Sequence, residues 1–151
     1  MASALKAIMA QVVTQLQVAD GTGVYSYDLS ATGTVIRGAV LNPPQSQLLV
    51  SVFLVPMESN PGDRLGYHER VQTVKVIGWV AHDGTEGDAE DMAADLLDTI
   101  TRAIGTDRTL SAKVRDAVVT GSVFSGGTYG WDGFGVVSAD LRINWSQQAG
   151  V

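Results

Sequence analysis

The stretch RVQTVKVIGWVAH (Arg70–His82) decides the architecture of this chain. Its residues alternate, and both alternating sets are partly apolar. Val71, Thr73, Lys75, Ile77 and Trp79 would face one side of a strand; Gln72, Val74, Val76 and Val80 would face the other. A strand with apolar groups on both faces is central in a sheet or covered twice. Upstream, LLVSVFLV (Leu48–Val55) is β-branched and apolar enough for a second such strand, and Pro56 ends it. Between the two, MESNPGDRLGYHE (Met57–Glu69) is polar and carries Pro-Gly, and reads as a long hairpin loop. Earlier still, Val35, Ile36 and Val40 suggest a short strand before the turn Asn42-Pro43-Pro44. Downstream, KVRDAVVTGSVF and FGVVSADLRINW read as two strands joined by the Gly-rich tip SGGTYGWDG. Strands joined by hairpins predict an antiparallel sheet.

Two segments have the other periodicity. Leu5, Ile8, Met9, Val12, Val13 and Leu16 recur at helical spacing, which predicts a helix over about residues 3–18 with Ser3 as its N-cap. Ala89, Met92, Ala93, Leu96, Leu97, Ile100 and Ile104 form a second stripe, which predicts a helix over about 88–104. Asp88 is the expected N-cap there, with Asp91 three residues on. Gly105 is expected to end that helix with a positive φ. After it, Asp107 or Thr109 can accept backbone N–H bonds in a tight turn. Leu110 then returns to the core and Lys113 begins a strand. The whole reads as one α+β domain over residues 1–151: a mainly antiparallel sheet, two α-helices packed on one face, and long hairpin loops.

The chain has 45% hydrophobic and 17% charged residues, a globular balance. Its formal net charge is −6 with only ten Lys and Arg, scattered along the sequence, which argues against a duplex nucleic-acid ligand. With no Cys there is no disulfide framework, thiol nucleophile or thiolate metal site. No export signal is read at the N-terminus, and no apolar run approaches the roughly 20 residues that span a bilayer.

Chemistry is sparse. His68 and His82 would stand at opposite ends of one strand, roughly 45 Å apart, too far to share a metal or a proton. The acidic run DGTEGDAEDMAADLLD lacks the alternating ligand spacing of a calcium loop, and carboxylates suit a helix N-terminus anyway. GTGVYS, SGGTYG and DGFG are not phosphate-binding loops, and there is no GxSxG elbow. The sequence therefore nominates no catalytic, cofactor-binding or metal-ligating residue, and predicts no enzyme. What remains is the loops. Tyr67, Tyr129 and Trp131 lie in or beside the two long loops, and Tyr and Trp are enriched at interface hot spots. They either contact a partner or fold back as a lid on the core. Arg64 suits a partner's carboxylate.

The segment AEDMAADLLDTITRAIGTDRTLSAKVRDAVVTGSVF, followed by GVVSADLRINW, resembles the tail terminator (tail-completion) proteins of long-tailed bacteriophages. The resemblance rests on Ala89, Leu96, Leu97, Ile100, Asp107, Thr109, Leu110, Val114, Asp116 and Gly121, and on Val136, Val137, Leu141, Ile143 and Trp145 in the closing strand. It implies a virion structural protein that forms a ring, usually of six copies, on the head-proximal end of the tail tube. Such a ring stops tube polymerisation and offers the docking surface for the head. Its partners would be its own copies, the tail tube protein and the head–tail connector, with DNA passing through the lumen unbound and no membrane contact. It would reside in the neck of the virion tail and assemble in the host cytoplasm. The alternative within the same class is a head–tail connector or stopper subunit. A small ligand-binding or enzymatic α+β domain is the alternative outside it.

Overall fold

The structure, a computed structural model, describes residues 4–39, 47–55, 58–59, 67–129 and 131–148. Helix α1 is Ala4–Leu16 and helix α2 is Glu86–Gly105. The strands are β1 (Val35–Arg37), β2 (Leu48–Leu54), β3 (Glu58–Ser59), β4 (Tyr67–Ala81), β5 (Asp116–Ser125) and β6 (Phe134–Gln148). They form one sheet in the order β1-β2-β4-β6-β5, with β3 pairing β4 beside that path.

β4 is central, as its doubly apolar sequence requires. It pairs with β2 from Leu48↔Val80 to Leu54↔Val74 and with β6 along its whole length, from Tyr67↔Gln148 to Ala81↔Phe134. The alternation resolves as read. Val74, Val76 and Val80 join the main core, together with Val50 and Val52 of β2 and Val137, Ala139, Leu141 and Ile143 of β6. Both helices close over this face. α1 contributes Ile8, Met9, Val12 and Leu16; α2 contributes Ala93, Leu96, Ile100, Ala103 and Ile104. Gly78 and Gly121 mark the close approach of α2, since a Cβ there would come 2.8 Å from Leu96 and 2.9 Å from Leu97.

The opposite face carries no helix among the described residues. Its apolar end is a smaller core of Leu49, Trp79 and Val136, with Ile36, Ile77, Phe124, Trp131 and Phe134 packed against it. Its polar end holds an ion pair between Lys75 Nζ and Asp140 Oδ1 (3.1 Å), beside Thr120, Ser122 and Ser138.

The strand expected to begin at Lys113 begins at Asp116, because the turn after Leu110 runs on to Arg115. Four further expectations need correction. The sheet is mixed: β1 runs parallel to β2, in the register Val35↔Val50 to Arg37↔Val52. A hairpin would have made this pair antiparallel. β1 has only three residues, so the connection need return only about 13 Å, four residues of rise, a distance that residues 38–47 can span with no helix needed. Second, Met57–Glu69 is not all loop, because β3 pairs with β4 at Glu58↔Val71 and β4 begins at Tyr67. Third, the N-cap of α2 is Thr85, and Asp88 is the third helical residue of the capping box. Fourth, Gly105 stays helical and the cap residue is Thr106, in the right-handed region. The expected N-cap Ser3, the strand residue Val40 and the turn Asn42-Pro43-Pro44 lie outside the described residues.

Candidate functional site

The corner after α2 is the most heavily bonded local structure. Leu110, Ser111 and Ala112 all have left-handed backbones, with φ of 48°, 59° and 63°. Three such residues in succession, none of them glycine, cost roughly 1–2 kcal/mol each. The corner persists because its surroundings hold it. Thr109 donates its hydroxyl (2.6 Å) and its backbone N–H (3.0 Å) to Asp107 Oδ1, and Ser111 N–H donates to Asp107 Oδ2 (2.9 Å). Ala112 N–H donates to the Thr109 hydroxyl (3.2 Å). These bonds favour the ionised acid, so the Asp107 carboxyl is held below its ordinary range, the Thr109 hydroxyl being the largest cause. Leu110 fills the core with 0% exposure, so the strained turn is also a buried anchor.

A second hold comes from α1. The buried Gln15 side chain donates through Nε2 to the carbonyls of Ile104 (2.7 Å) and Asp107 (2.6 Å), with Ala103 O at 3.4 Å. Ala103 and Ile104 lie in the last turn of α2 and Asp107 lies just beyond it. Each carbonyl also accepts a local backbone N–H, from Thr106, Asp107 and Leu110 respectively. Gln15 adds a second donor where a helix end leaves carbonyls underbonded. Helix α1 thus caps helix α2 across the fold. Sequence reading missed Gln15, because a polar residue between Val12 and Leu16 looks like the edge of an apolar stripe. The Asp-x-Thr turn was easier to see, and it recurs. Asp20 accepts from Thr22 N–H and hydroxyl, and Asp28 accepts from Ser30 N–H and hydroxyl. The Asp20 carboxyl, like that of Asp107, is lowered chiefly by the hydroxyl bond. The Asp88 carboxyl is lowered chiefly by the backbone N–H of Thr85.

Of the expected contact residues that are described, Tyr67 stands at the opposite end of the sheet from Tyr129 and Trp131. Trp131 is half-buried and folds onto the smaller core. Its ring meets Trp79 edge-on with centroids 6.1 Å apart and stacks on Phe124 at 6.4 Å. Tyr129 closes a 3-10 turn over Gly126–Tyr129, near that end of the sheet. Tyr67 opens β4 at the far end, opposite Gln148, about 40 Å of strand from Trp79. Arg64 lies outside the described residues. His68 and His82 remain at opposite ends of the unbroken β4 and its exit. Among the described residues, no group of three His, Asp or Glu is placed to hold a metal ion, and no helix is long and apolar enough to cross a membrane.

The sheet edges carry unpaired backbone groups. β5 pairs with β6 on one side only, and β1 pairs with β2 on one side only, among the described residues. β5 is ten residues long and uncharged from Ala117 to Ser125, with Val118 43% exposed. A shallow groove of about 240 Å³ runs between it and α2, lined by Thr101, Ile104, Gly105, Arg108, Val118 and Val119. Arg108 closes one end of this edge, donating from Nη2 to Asp116 Oδ2 at 2.7 Å. An edge strand of this length is a ready template for another chain. No family model matches this chain, and no curated protein matches it.

Proposed function

We propose that this protein is a ring-forming structural subunit of a phage neck, a tail terminator that caps the head-proximal end of the tail tube. The observation that carries the proposal is a sheet that, among the described residues, is open at both ends, with the long edge of β5 on one side and the short edge of β1 on the other. A ring built head to tail needs two different faces on each subunit, and these edges differ in length, direction and surroundings. The resemblance of Ala89–Phe124 and of the closing strand to tail terminators supports the same reading. So does the corner at Asp107–Ala112, whose chemistry is spent on holding the backbone.

In this role the ring holds six copies, blocks further tube subunits and presents the docking surface for the head connector. An acidic chain suits a lumen that DNA slides through without sticking. The test is to add purified protein to tail tubes and image the ends. The expected result is a ring on one end of each tube and arrest of tube growth. A protein that stays monomeric and never binds tube ends would contradict the proposal. Labelling in whole virions beside the portal, and away from the tube, would move the chain to the connector class.

A further inference from the structure

We infer that copies of this chain join by pairing β5 of one subunit with β1 of the next, so that Arg37 of one copy meets Glu90 of the other. The inference rests on the ring reading above and assigns its interface.

Strand direction permits the junction. β1 and β2 are parallel, and each later step across the sheet, β2–β4, β4–β6 and β6–β5, is antiparallel. β5 therefore runs opposite to β1. A neighbour that continues the sheet with its helices on the same face places β5 and β1 antiparallel, the better-bonded ladder. The β1 groups aimed at β2 are Thr34 C=O, which accepts from Val50 N–H (2.8 Å), and Gly38 N–H, which donates to Val52 C=O (2.9 Å). By alternation, the backbone groups of Val35 and Arg37 point outward.

Symmetry selects between possible partners. Two β5 edges paired with each other use the same patch twice, which closes at a dimer and leaves both β1 edges open. Only unlike edges continue around a ring. The flanks of the two edges fit this choice. Leu97 lies over Gly121 of β5, and Thr101 lines the groove beside it. Helical geometry puts the exposed Glu90 and Ala94 on that same flank of α2. Ala94 is small and leaves room for a neighbouring chain. Glu90 stands toward the end of β5, because the adjacent Ala89 packs on Gly135, the partner of Ser125. At the other edge, Arg37 is exposed and shares the helix-covered face with Val35. Helix α1 packs beside β1 and has one Lys and no acidic residue, so nothing on it repels Glu90. With β1 set against the later part of β5, Arg37 and Glu90 come together on the helix-covered face.

The absence of Cys makes the test clean. Ile36→Cys is combined in turn with Val118→Cys, Thr120→Cys or Ser122→Cys, all on the helix-free face. Within one chain the two edges are four strand spacings apart, about 19 Å, too far for a disulfide. Every cross-link is then between copies. Under ring-forming conditions Ser122→Cys should give a covalent ladder that ends at the ring size, and Val118→Cys should give the least. Separately, Arg37→Glu should weaken assembly about fivefold at low salt, as should Glu90→Lys, and the variant carrying both reversals should recover. Circular dichroism checks that each variant folds. Rings that form without any cross-link, and that ignore the charge reversals, would overturn this interface and leave the ring reading standing. Disulfide dimers of the single Thr120→Cys variant would replace it with β5–β5 pairing. A chain that forms no oligomer with or without tubes would end both.

Discussion

The corner at Asp107–Lys113 and the edge strand Asp116–Ser125 are neighbours in sequence and opposites in bonding. At the corner, an Asp carboxylate, a Thr hydroxyl and a Gln amide from another helix satisfy backbone groups in a conformation that costs energy. Along β5, the conformation is ordinary strand, yet beyond Ala117, whose carbonyl accepts from Arg108 Nε (3.4 Å), the outer edge pairs with no strand among the described residues. Specificity has been concentrated in the segment that aims the strand, while the strand itself stays open. That division suits a subunit whose edge must be held in a fixed direction for another copy to complete.

Substitutions sharpen the contrast, because corner variants should act on stability and edge variants on assembly. Leu110→Ala removes the buried anchor of the corner and should cost about 2–5 kcal/mol in denaturant melts. Gln15→Leu keeps the volume and removes the second donor to the Ile104 and Asp107 carbonyls, which retain their backbone bonds. It should cost about 0.5–1.5 kcal/mol, with the loss of protection in hydrogen exchange centred on the end of α2. Ala112→Gly should do the reverse. Glycine adopts a φ of 63° without penalty, so stability should rise by about 0.5–1 kcal/mol after the entropy of the unfolded chain is counted.

The acid response tests the same corner. Asp20, Asp88 and Asp107 all have carboxyls lowered in the fold from an ordinary value of 3.8. A lowered folded pKa gives stability that is present above the unfolded value and lost as pH falls through the folded one. Thermal melts should therefore be flat toward neutral pH and fall below about pH 4, and Asp107→Asn should show a shallower fall. Smallest in stability is Ser122→Lys, at the exposed position set against β1 of the next copy. Its exposed edge position predicts a change within about 0.5 kcal/mol for the monomer, together with loss of ring assembly in native mass measurements.

Much of this fold is legible in the sequence, and the gaps have physical causes. β4 announces itself because apolar residues occupy both alternating sets, and the α2 stripe is regular from Ala89 to Ile104. Leu110 is recognisable as a residue that must return to the core. The parallel pairing of β1 is not legible, since three residues carry no directional signal. Thr85 and Asp88 are both good caps, and only the observed reciprocal bonds choose between them. The left-handed run Leu-Ser-Ala contains no glycine or asparagine to betray it. Gln15 is invisible because its partners lie more than eighty residues away. The candidate site was harder. Position in a Gly-rich tip nominated Trp131, and no sequence pattern shows that its half-buried ring packs on Trp79 and Phe124. An edge strand is defined by what fails to pair with it, and no single strand sequence states that.

The most direct test is amide hydrogen exchange across β5 before and after assembly on tail tubes. The account predicts that amides at the end of α2 and the corner, held by Gln15 and Asp107, are protected in both states. The outward amides in the later part of β5 should exchange freely in the monomer and become protected in the ring. Oligomers in which the β5 amides exchange as fast as they do in the monomer would contradict it.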